Sequence, residues 1–87
     1  MKIFYTKRFL KDVRKLGTED QSRAYKALLL FEQNPFTPSL QNHPLKGAHD
    51  GTRSISAAYD LRLMYTEENG HITVLFLRAG SHKNVYE

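Results

Sequence analysis

Hydrophobic residues recur along this chain with two different periods, and the change of period divides the chain into two halves. In the first half, apolar side chains repeat at intervals of three or four residues, which is the spacing of one helix face. In the second half, they alternate with polar side chains, which is typical of strands with one buried face. The pattern therefore predicts helices first and a sheet afterwards.

The first half is predicted to contain a short strand and two helices. Residues 2–5 form the strand, and Thr6 is the predicted N-cap of a helix that runs through Lys15. A second helix starts at Thr18 and stops near Asn34, because prolines follow it. The predicted apolar faces comprise Phe9, Leu10, Val13 and Leu16 in the first helix, and Ala24, Tyr25, Ala27, Leu28, Leu29 and Phe31 in the second. Because the link between them is so short, the helices should form an αα-hairpin.

The second half is predicted to form a sheet, after an irregular stretch at residues 35–52. Apolar positions alternate from residue 55 to residue 65, with a turn or bulge near Asp60. Asn69-Gly70 is a hairpin signal, and the apolar run at residues 72–77 predicts a central strand covered on both faces. The predicted fold class is α+β: an N-terminal strand, a two-helix hairpin, and then a three- to four-stranded antiparallel sheet with the helices on one face.

Length, cysteine content and charge narrow the class of protein. Eighty-seven residues, 40% of them hydrophobic, predict a single domain at residues 1–87 with its own core. The absence of cysteine excludes a disulfide scaffold and a zinc knuckle. No stretch resembles a signal peptide or a membrane span, so we expect a cytoplasmic protein with no membrane partner. The net charge of +4 favours a polyanionic partner, either nucleic acid or an acidic protein segment.

The segment after the apolar run carries the most distinctive side chains. Arg78 follows the run directly, and its guanidinium suits a phosphate there, although it could instead pair with Asp60 or the C-terminal carboxylate. His82 can exchange protons near neutral pH, as phosphodiester cleavage requires; an ordinary surface histidine is the alternative. Tyr86 could stack on a base or anchor the C-terminus.

A second group of candidate residues lies earlier in the chain. His43 precedes a proline, which holds it extended and fixes the direction of its side chain. Lys46, Arg53 and Arg62 could form a patch for an RNA backbone, or they could be ordinary solvated charges. Asp60 could orient a histidine, bind a partner's arginine or begin a turn.

Other kinds of site have little support in the sequence. The remaining histidines, His49 and His71, stand in turn-like contexts and are interpreted as surface residues. Because the four histidines lack the spacing of metal ligands, we expect neither a metal nor a cofactor. A Gly-rich phosphate loop, a nucleophile elbow and a paired-carboxylate signature are also absent from the sequence.

Three segments of the chain together resemble toxins of the RelE/ParE superfamily from bacterial type II toxin–antitoxin systems, and most closely the YafQ-like branch. The segments are His43-Pro44-Leu45-Lys46-Gly47, Tyr59-Asp60-Leu61-Arg62-Leu63-Met64-Tyr65, and Leu77-Arg78-Ala79-Gly80-Ser81-His82 followed by Tyr86. The last segment is the most specific, and the resemblance covers essentially the whole chain. It implies a ribosome-associated endoribonuclease that cleaves messenger RNA and is held inactive by a cognate antitoxin in a hetero-oligomer.

The resemblance also implies roles for individual residues. The positions that match functional positions of the branch are His43, Asp60, Arg78, His82 and Tyr86. Apart from the resemblance, the basic residues Lys46, Arg53, Arg62 and Lys83 are expected to contact RNA because of their charge. The implied mechanism needs no metal: a base takes the proton of the ribose 2′-OH, an acid protonates the leaving 5′-oxygen, and an arginine stabilises the phosphoryl oxygens.

The chain departs from the YafQ-like pattern at two positions. Ser56 stands where the branch often has a histidine, and Leu61 stands where it has a tryptophan. Serine is a poor proton shuttle, so the acid–base pair is expected to consist of His43 and His82.

Two other functions stay open on the sequence alone. A gyrase-poisoning toxin of the same superfamily would not need Arg78 and His82 at these positions, so their presence favours the nuclease. A catalytically weak member that only binds RNA or its antitoxin stays open because of Ser56.

Overall fold

A computed structural model describes residues 1–86, with the exception of the side chains of Asn84 and Tyr86. Its first half contains strand β1 (Lys2–Tyr5), helix α1 (Lys7–Lys15) and helix α2 (Thr18–Gln33). Its second half contains strands β2 (His43–Pro44), β3 (Arg53–Ala58), β4 (Leu61–Glu68) and β5 (Thr73–Gly80), and helix α3 (His82–Tyr86). The predicted α+β class and order of elements are confirmed.

Within the described residues, the sheet has five strands in the order β1-β5-β4-β3-β2. Strands β2 to β5 pair antiparallel with their neighbours, as predicted, whereas β1 joins the edge of the sheet parallel to β5. Strand β2 is a two-residue strand inside the stretch that the sequence predicts to be irregular. None of the helices in residues 1–86 is both long enough and apolar enough to cross a membrane.

Local sequence signals set several boundaries of these elements. Thr6 caps α1, because its Oγ1 accepts a hydrogen bond from the backbone N of Phe9 at 2.9 Å. The same hydroxyl donates to the carbonyl of Leu77 at 2.9 Å, which ties the start of α1 to β5. Asn69 and Gly70 have φ angles of 55° and 65°, the positive values predicted for this hairpin, whose loop comprises residues 69–72. The predicted cap and turn are confirmed.

The main core lies between the two long helices and one face of the sheet. Its buried members are Phe9, Val13, Ala24, Ala27 and Phe31 from the helices, Leu40, and Ile55, Leu61, Leu63, Tyr65, Val74, Phe76 and Ala79 from the sheet. The ring of Phe31 meets those of Tyr65 and Phe76 edge-on, with centroids 5.0 and 5.2 Å apart. This geometry suits the aromatic quadrupoles, so Phe31 joins α2 to the middle of the sheet.

Some residues predicted to lie on the apolar helix faces are exposed. These are Leu10 of α1, and Tyr25 and Leu29 of α2. In α2 the buried positions are 24, 27 and 31, which form a narrow stripe facing the sheet. Tyr25 and Leu29 lie beside that stripe, so part of the predicted apolar face of α2 is exposed.

Strand β5 differs from the prediction in its burial and in its end. Within the apolar run at residues 72–77 only Val74 and Phe76 are buried, and Ile72 is 60% exposed. Helices α1 and α2 cover one face of the sheet, but the short α3 covers only part of the other. The prediction that this strand is covered on both faces is therefore wrong. The strand also continues beyond the run, and Arg78 lies inside it rather than after it.

Helix α3 packs against the sheet face opposite to α1 and α2, which we call the α3 face. The helix contacts β4 and β5 and contributes the buried side chain of Val85. Met64 alternates along β4 with Leu63 and Tyr65 and therefore points to this face. It is buried although it does not belong to the main core cluster.

His71 lies in an aromatic cluster and not on the surface, so the interpretation from sequence is wrong. Its side chain is only 12% exposed, and its ring lies 5.2 to 6.2 Å from those of Phe31, Phe36 and Tyr65. Its Nε2 lies 2.8 Å from Tyr65 Oη, and its backbone N donates to Glu67 Oε1 at 2.9 Å. Burial lowers the pKa of His71 and outweighs the opposing effect of the Glu67 carboxylate.

The lowered pKa of His71 should make the stability of the fold depend on pH. The folded chain binds this proton less readily than the unfolded chain does. Its contribution to stability is therefore complete above the unfolded pKa of about 6.5 and is lost as the pH falls below that value. Urea denaturation should show a free energy of unfolding that declines from about pH 7.5 to about pH 5, by at most about 1.4 kcal/mol per pH unit for this group.

His71→Asn should flatten this decline, because asparagine does not titrate and tolerates the φ of 70° at this position. Gln21→Ala is the control, since it removes two hydrogen bonds to backbone carbonyls elsewhere but no titrating group. It should keep the full pH dependence. A decline that persists unchanged in His71→Asn would assign the effect to other groups.

Candidate active site

The strand register aligns two of the predicted catalytic residues in one row across the sheet. His43 pairs with Ser54, Ser54 with Met64, and Met64 with Arg78. His43, Ser54 and Met64 share the α3 face, because directly paired residues point to the same side. Neighbouring strands lie about 4.8 Å apart, so about 14 Å separates the backbones at the two ends of the row. An irregularity in the pairing leaves Leu77 as an extra residue of β5 beside Arg78.

Arg78 is held by Asp12 of α1, a residue that the sequence analysis did not single out. Its Nε donates to Asp12 Oδ2 at 2.8 Å, and its Nη2 donates to Oδ1 at 3.4 Å. The same carboxylate accepts a hydrogen bond from the backbone N of Ala79 at 3.0 Å. Asp12 therefore takes the role suggested for Asp60, and the C-terminal carboxylate, the other suggested partner, lies outside the described residues. The signal in the sequence was one acidic residue in a helix that is otherwise rich in lysine and arginine.

Asp60 and His82 meet where β3 turns into β4. Asp60 Oδ1 accepts a hydrogen bond from the backbone N of His82 at 3.2 Å and so anchors the first residue of α3. The side chains of His82 and Lys83 are exposed. The role predicted for Tyr86 concerns a side chain outside the described ones.

His43 is exposed at the opposite edge of the sheet. Its Nδ1 lies 2.8 Å from the carbonyl oxygen of Gln41. A carbonyl oxygen only accepts, so the proton of the neutral imidazole is on Nδ1 and the lone pair is on Nε2. This tautomer suits a general base.

The residues predicted to bind RNA do not form one patch. Arg53 pairs with Tyr65 and therefore lies on the face that the long helices cover. Its Nε donates to Asn42 Oδ1 at 2.8 Å, and its guanidinium lies 5.5 Å from the centroid of the Phe36 ring. Lys46 is exposed in the loop after β2. Intramolecular contacts therefore hold Arg53 away from the α3 face.

Arg62 stabilises the turn between β3 and β4 through hydrogen bonds. Its Nη1 donates to the carbonyls of Ala58 and Tyr59 at 3.0 and 3.1 Å, and to Ser56 Oγ at 3.2 Å. Ser56 in turn donates to the Ala58 carbonyl at 3.0 Å, so the residue in place of the expected histidine is part of this turn. Leu61, the second departure from the pattern, is buried in the main core.

A wide cleft, which we call the basic cleft, lies between the α1–α2 hairpin and the ends of β3, β4 and β5. It encloses about 1670 Å³. Its basic side chains are Arg8, Lys11 and Lys15 of α1, Arg23 and Lys26 of α2, and Arg62 and Arg78 of the sheet. Its acidic side chains are Asp12, Asp20 and Asp60. More than half of the 13 lysines and arginines of the chain thus line the cleft, against a third of its 9 acids, so it attracts anions.

The arrangement offers acid–base and anion-binding groups rather than a metal site. In residues 1–86, among the side chains described, His, Asp and Glu form no group of three that could hold an ion. The α1 and α2 cations of the basic cleft were not predicted as site residues. Their sequence signal was the basic face of α1, but only the packing of the helices brings that face next to the ends of the strands.

Comparisons with solved structures show that this fold is shared with small bacterial toxins. YafQ from E. coli strain BL21(DE3) has a TM-score of 0.82 and 24% identity, covering 98% of this chain and 97% of that one. The YoeB/ParE toxin from Agrobacterium tumefaciens has a TM-score of 0.76 and 18% identity, covering 94% and 99%. The structure of the E. coli DinJ–YafQ complex matches with a TM-score of 0.70 and 24% identity, covering 98% and 97%. A comparison with curated proteins gives no match.

The family model described as bacterial toxin of type II toxin–antitoxin system, YafQ, matches residues 1–87, so the chain belongs to this family. It is therefore a toxin of a type II toxin–antitoxin system. The resemblance inferred from the three sequence segments is confirmed.

The contacts of Asp12 generate a prediction about stability. Asp12→Ala should lower the free energy of unfolding by about 1–3 kcal/mol, because it leaves the Arg78 guanidinium and the Ala79 N–H without their acceptor in a largely desolvated place. Urea denaturation measures the loss. Asp20→Ala is the control: its carboxylate is 44% exposed and pairs with Arg23, so the change should be within about 0.5 kcal/mol. Equal losses in the two variants would contradict a structural role for the Asp12 contacts.

Proposed function

We propose that this toxin is a metal-independent endoribonuclease that cleaves messenger RNA on the ribosome and thereby inhibits translation in the cytoplasm. A cognate antitoxin holds it inactive in a hetero-oligomer. The observation that carries the proposal is the meeting of several suitable groups at one end of the basic cleft. Arg78, Asp60 and Ser81 line that end, and His82 follows directly.

The proposed reaction is attack of a ribose 2′-oxygen on the neighbouring phosphorus. His43 takes the 2′-OH proton on Nε2 as the bond from O2′ to phosphorus forms. The bond from phosphorus to O5′ breaks as His82 gives its proton to the leaving oxygen, and the products are a 2′,3′-cyclic phosphate and a 5′-hydroxyl. Arg78 stabilises the charge on the phosphoryl oxygens, with its guanidinium held in place by Asp12. Proton exchange with water then restores both histidines.

The basic cleft supports RNA as the substrate class. Its cations stand on both helices and on the sheet, so they can contact successive phosphates of one strand. At its rim the Tyr59 side chain is 98% exposed and offers a base a stacking surface. Lys46 and Lys83 are exposed and add positive charge near His43 and His82.

The proposed roles of the two histidines predict the behaviour of single variants. His43→Ala and His82→Ala should each slow single-turnover cleavage of RNA by about 10²- to 10⁴-fold, while circular dichroism shows an intact fold. Because one imidazole must be neutral and the other charged, the wild-type rate should be bell-shaped in pH. EDTA should not stop cleavage of RNA alone, and His49→Ala should cleave like the wild type.

The matching experiment in cells follows the order of events after induction. The wild-type toxin should stop protein synthesis first and leave discrete cuts inside translated regions, and His82→Ala should do neither. Intact messages with accumulating DNA breaks would instead indicate a gyrase poison. Growth without arrest, with antitoxin binding preserved, would indicate a catalytically inactive member of the family.

The basic cleft generates a prediction about RNA affinity. In a His82→Ala background, replacing Lys11, Lys15 and Lys26 by glutamate should weaken RNA binding, measured by fluorescence anisotropy at several salt concentrations. Each lost phosphate contact should reduce the slope of log affinity against log salt by about 0.7.

The matched control replaces three basic residues that do not line the basic cleft, namely Lys2, Lys7 and Arg14. It changes the net charge equally, so it should keep most of the affinity and most of the salt slope. Equal losses in the two triple variants would mean that net charge, and not the cleft, attracts RNA.

A further inference from the structure

The backbone around His43 has little support from the sheet. Strand β2 contains only His43 and Pro44, both exposed, and it lies at the edge of the sheet. Proline has no N–H, so the pairing with β3 lacks one possible donor. Gln41, two residues before His43, has a φ of 50°, in the left-handed region that non-glycine residues rarely adopt. The Gln41 carbonyl accepts the Nδ1–H of the His43 imidazole, so the contact that fixes residues 41–43 also fixes where the imidazole lies.

That contact is made by Asn42, the residue between Gln41 and His43. Its Nδ2 donates to the Pro35 carbonyl at 2.9 Å and to Tyr65 Oη at 2.6 Å. Its Oδ1 accepts a hydrogen bond from Arg53 Nε at 2.8 Å. One side chain thus joins the loop after α2, strand β3 and strand β4, directly before His43.

The partners of Asn42 are themselves fixed. Tyr65 is fully buried in the main core, and burial raises the pKa of its hydroxyl, which stays protonated. On its other side, Tyr65 Oη lies 2.8 Å from His71 Nε2. Arg53 is held over the ring of Phe36. A partly buried network whose members are all engaged has few alternative arrangements, so it is rigid.

We propose that Asn42 is a positioning residue. Its hydrogen bonds with Tyr65 and Arg53 hold the segment that contains His43 against the rigid core, and they thereby fix where Nε2 of the His43 imidazole lies. In this role Asn42 acts on the reaction only through His43. This inference rests on the proposed function of His43 as the base. Displacing a reacting group by about 1 Å can cost about 100-fold in rate, so loosening this segment should impair cleavage without removing any reacting group.

The test compares two variants with one control in the full-length toxin. Asn42→Ala removes all three hydrogen bonds, and Tyr65→Phe removes only the buried hydroxyl while keeping the ring in the core. Gln21→Ala is the control, because it also removes side-chain hydrogen bonds to backbone carbonyls, at a place far from His43 along the chain. Urea denaturation of each variant defines conditions in which all of them are folded.

Two measurements are made under those conditions. At saturating RNA, Asn42→Ala should cleave about 10- to 100-fold more slowly, and Tyr65→Phe should show a smaller loss. KM should change little, and Gln21→Ala should match the wild type. Nitrogen-15 spectra of the histidine rings should show that the His43 signals, which report its tautomer, change in the first two variants and not in the control.

The spectra separate this inference from the proposed function. If the wild type cleaves no RNA but the His43 signals change as expected, the positioning role stands and the nuclease assignment fails. If both variants keep the wild-type His43 signals, or if the loss lies entirely in KM, Asn42 is not a positioning residue for His43. A rate loss in Gln21→Ala equal to that in Asn42→Ala would likewise overturn the proposal.

Discussion

Antiparallel pairing of β4 with both of its neighbours is the constraint on which the candidate site depends. Leu63 and Tyr65 of β4 point into the main core, and Met64 between them points to the α3 face. A shift of one residue would exchange the two faces and expose the side chains that are now buried. The same register places His43 and Arg78 in one row. The hydrophobic core thus sets the position of polar residues that contribute nothing to it.

Two short polar side chains fix the orientations of neighbouring residues in the candidate site. Asp12 accepts hydrogen bonds from Arg78 and Ala79, and Asn42 engages three groups next to His43. Apolar contacts tolerate small rotations, whereas hydrogen bonds do so much less because their strength falls quickly with angle. Throughout the described part of the chain, every buried side-chain nitrogen and oxygen has a partner. Rigidity around the site therefore comes from satisfied polar contacts added to an apolar core.

The α1–α2 hairpin contributes to both the core and the charged surface. One stripe of each helix is buried against the sheet, and other positions carry the lysines and arginines of the basic cleft. The amphipathic pattern that drives folding therefore also places positive charge beside Arg78 and Asp60. Ser56, by contrast, has a structural role alone. It stands where the resemblance leads us to expect a histidine, and it stabilises a turn together with Arg62. The proposed acid–base chemistry therefore uses His43 and His82.

The sequence by itself determined the order of elements, the cap at Thr6 and the turn at Asn69-Gly70, because each depends on residues within a few positions of one another. Its motifs also determined the family. Only the tertiary structure decided that Asp12 holds Arg78, that Asn42 reaches Tyr65, and that the His71 ring lies in an aromatic cluster. These contacts join residues distant along the chain, or depend on which face of the sheet is covered, and hydrophobic periodicity carries no information about either. The basic cleft belongs to the same group, since it exists only once the helices are packed on the sheet.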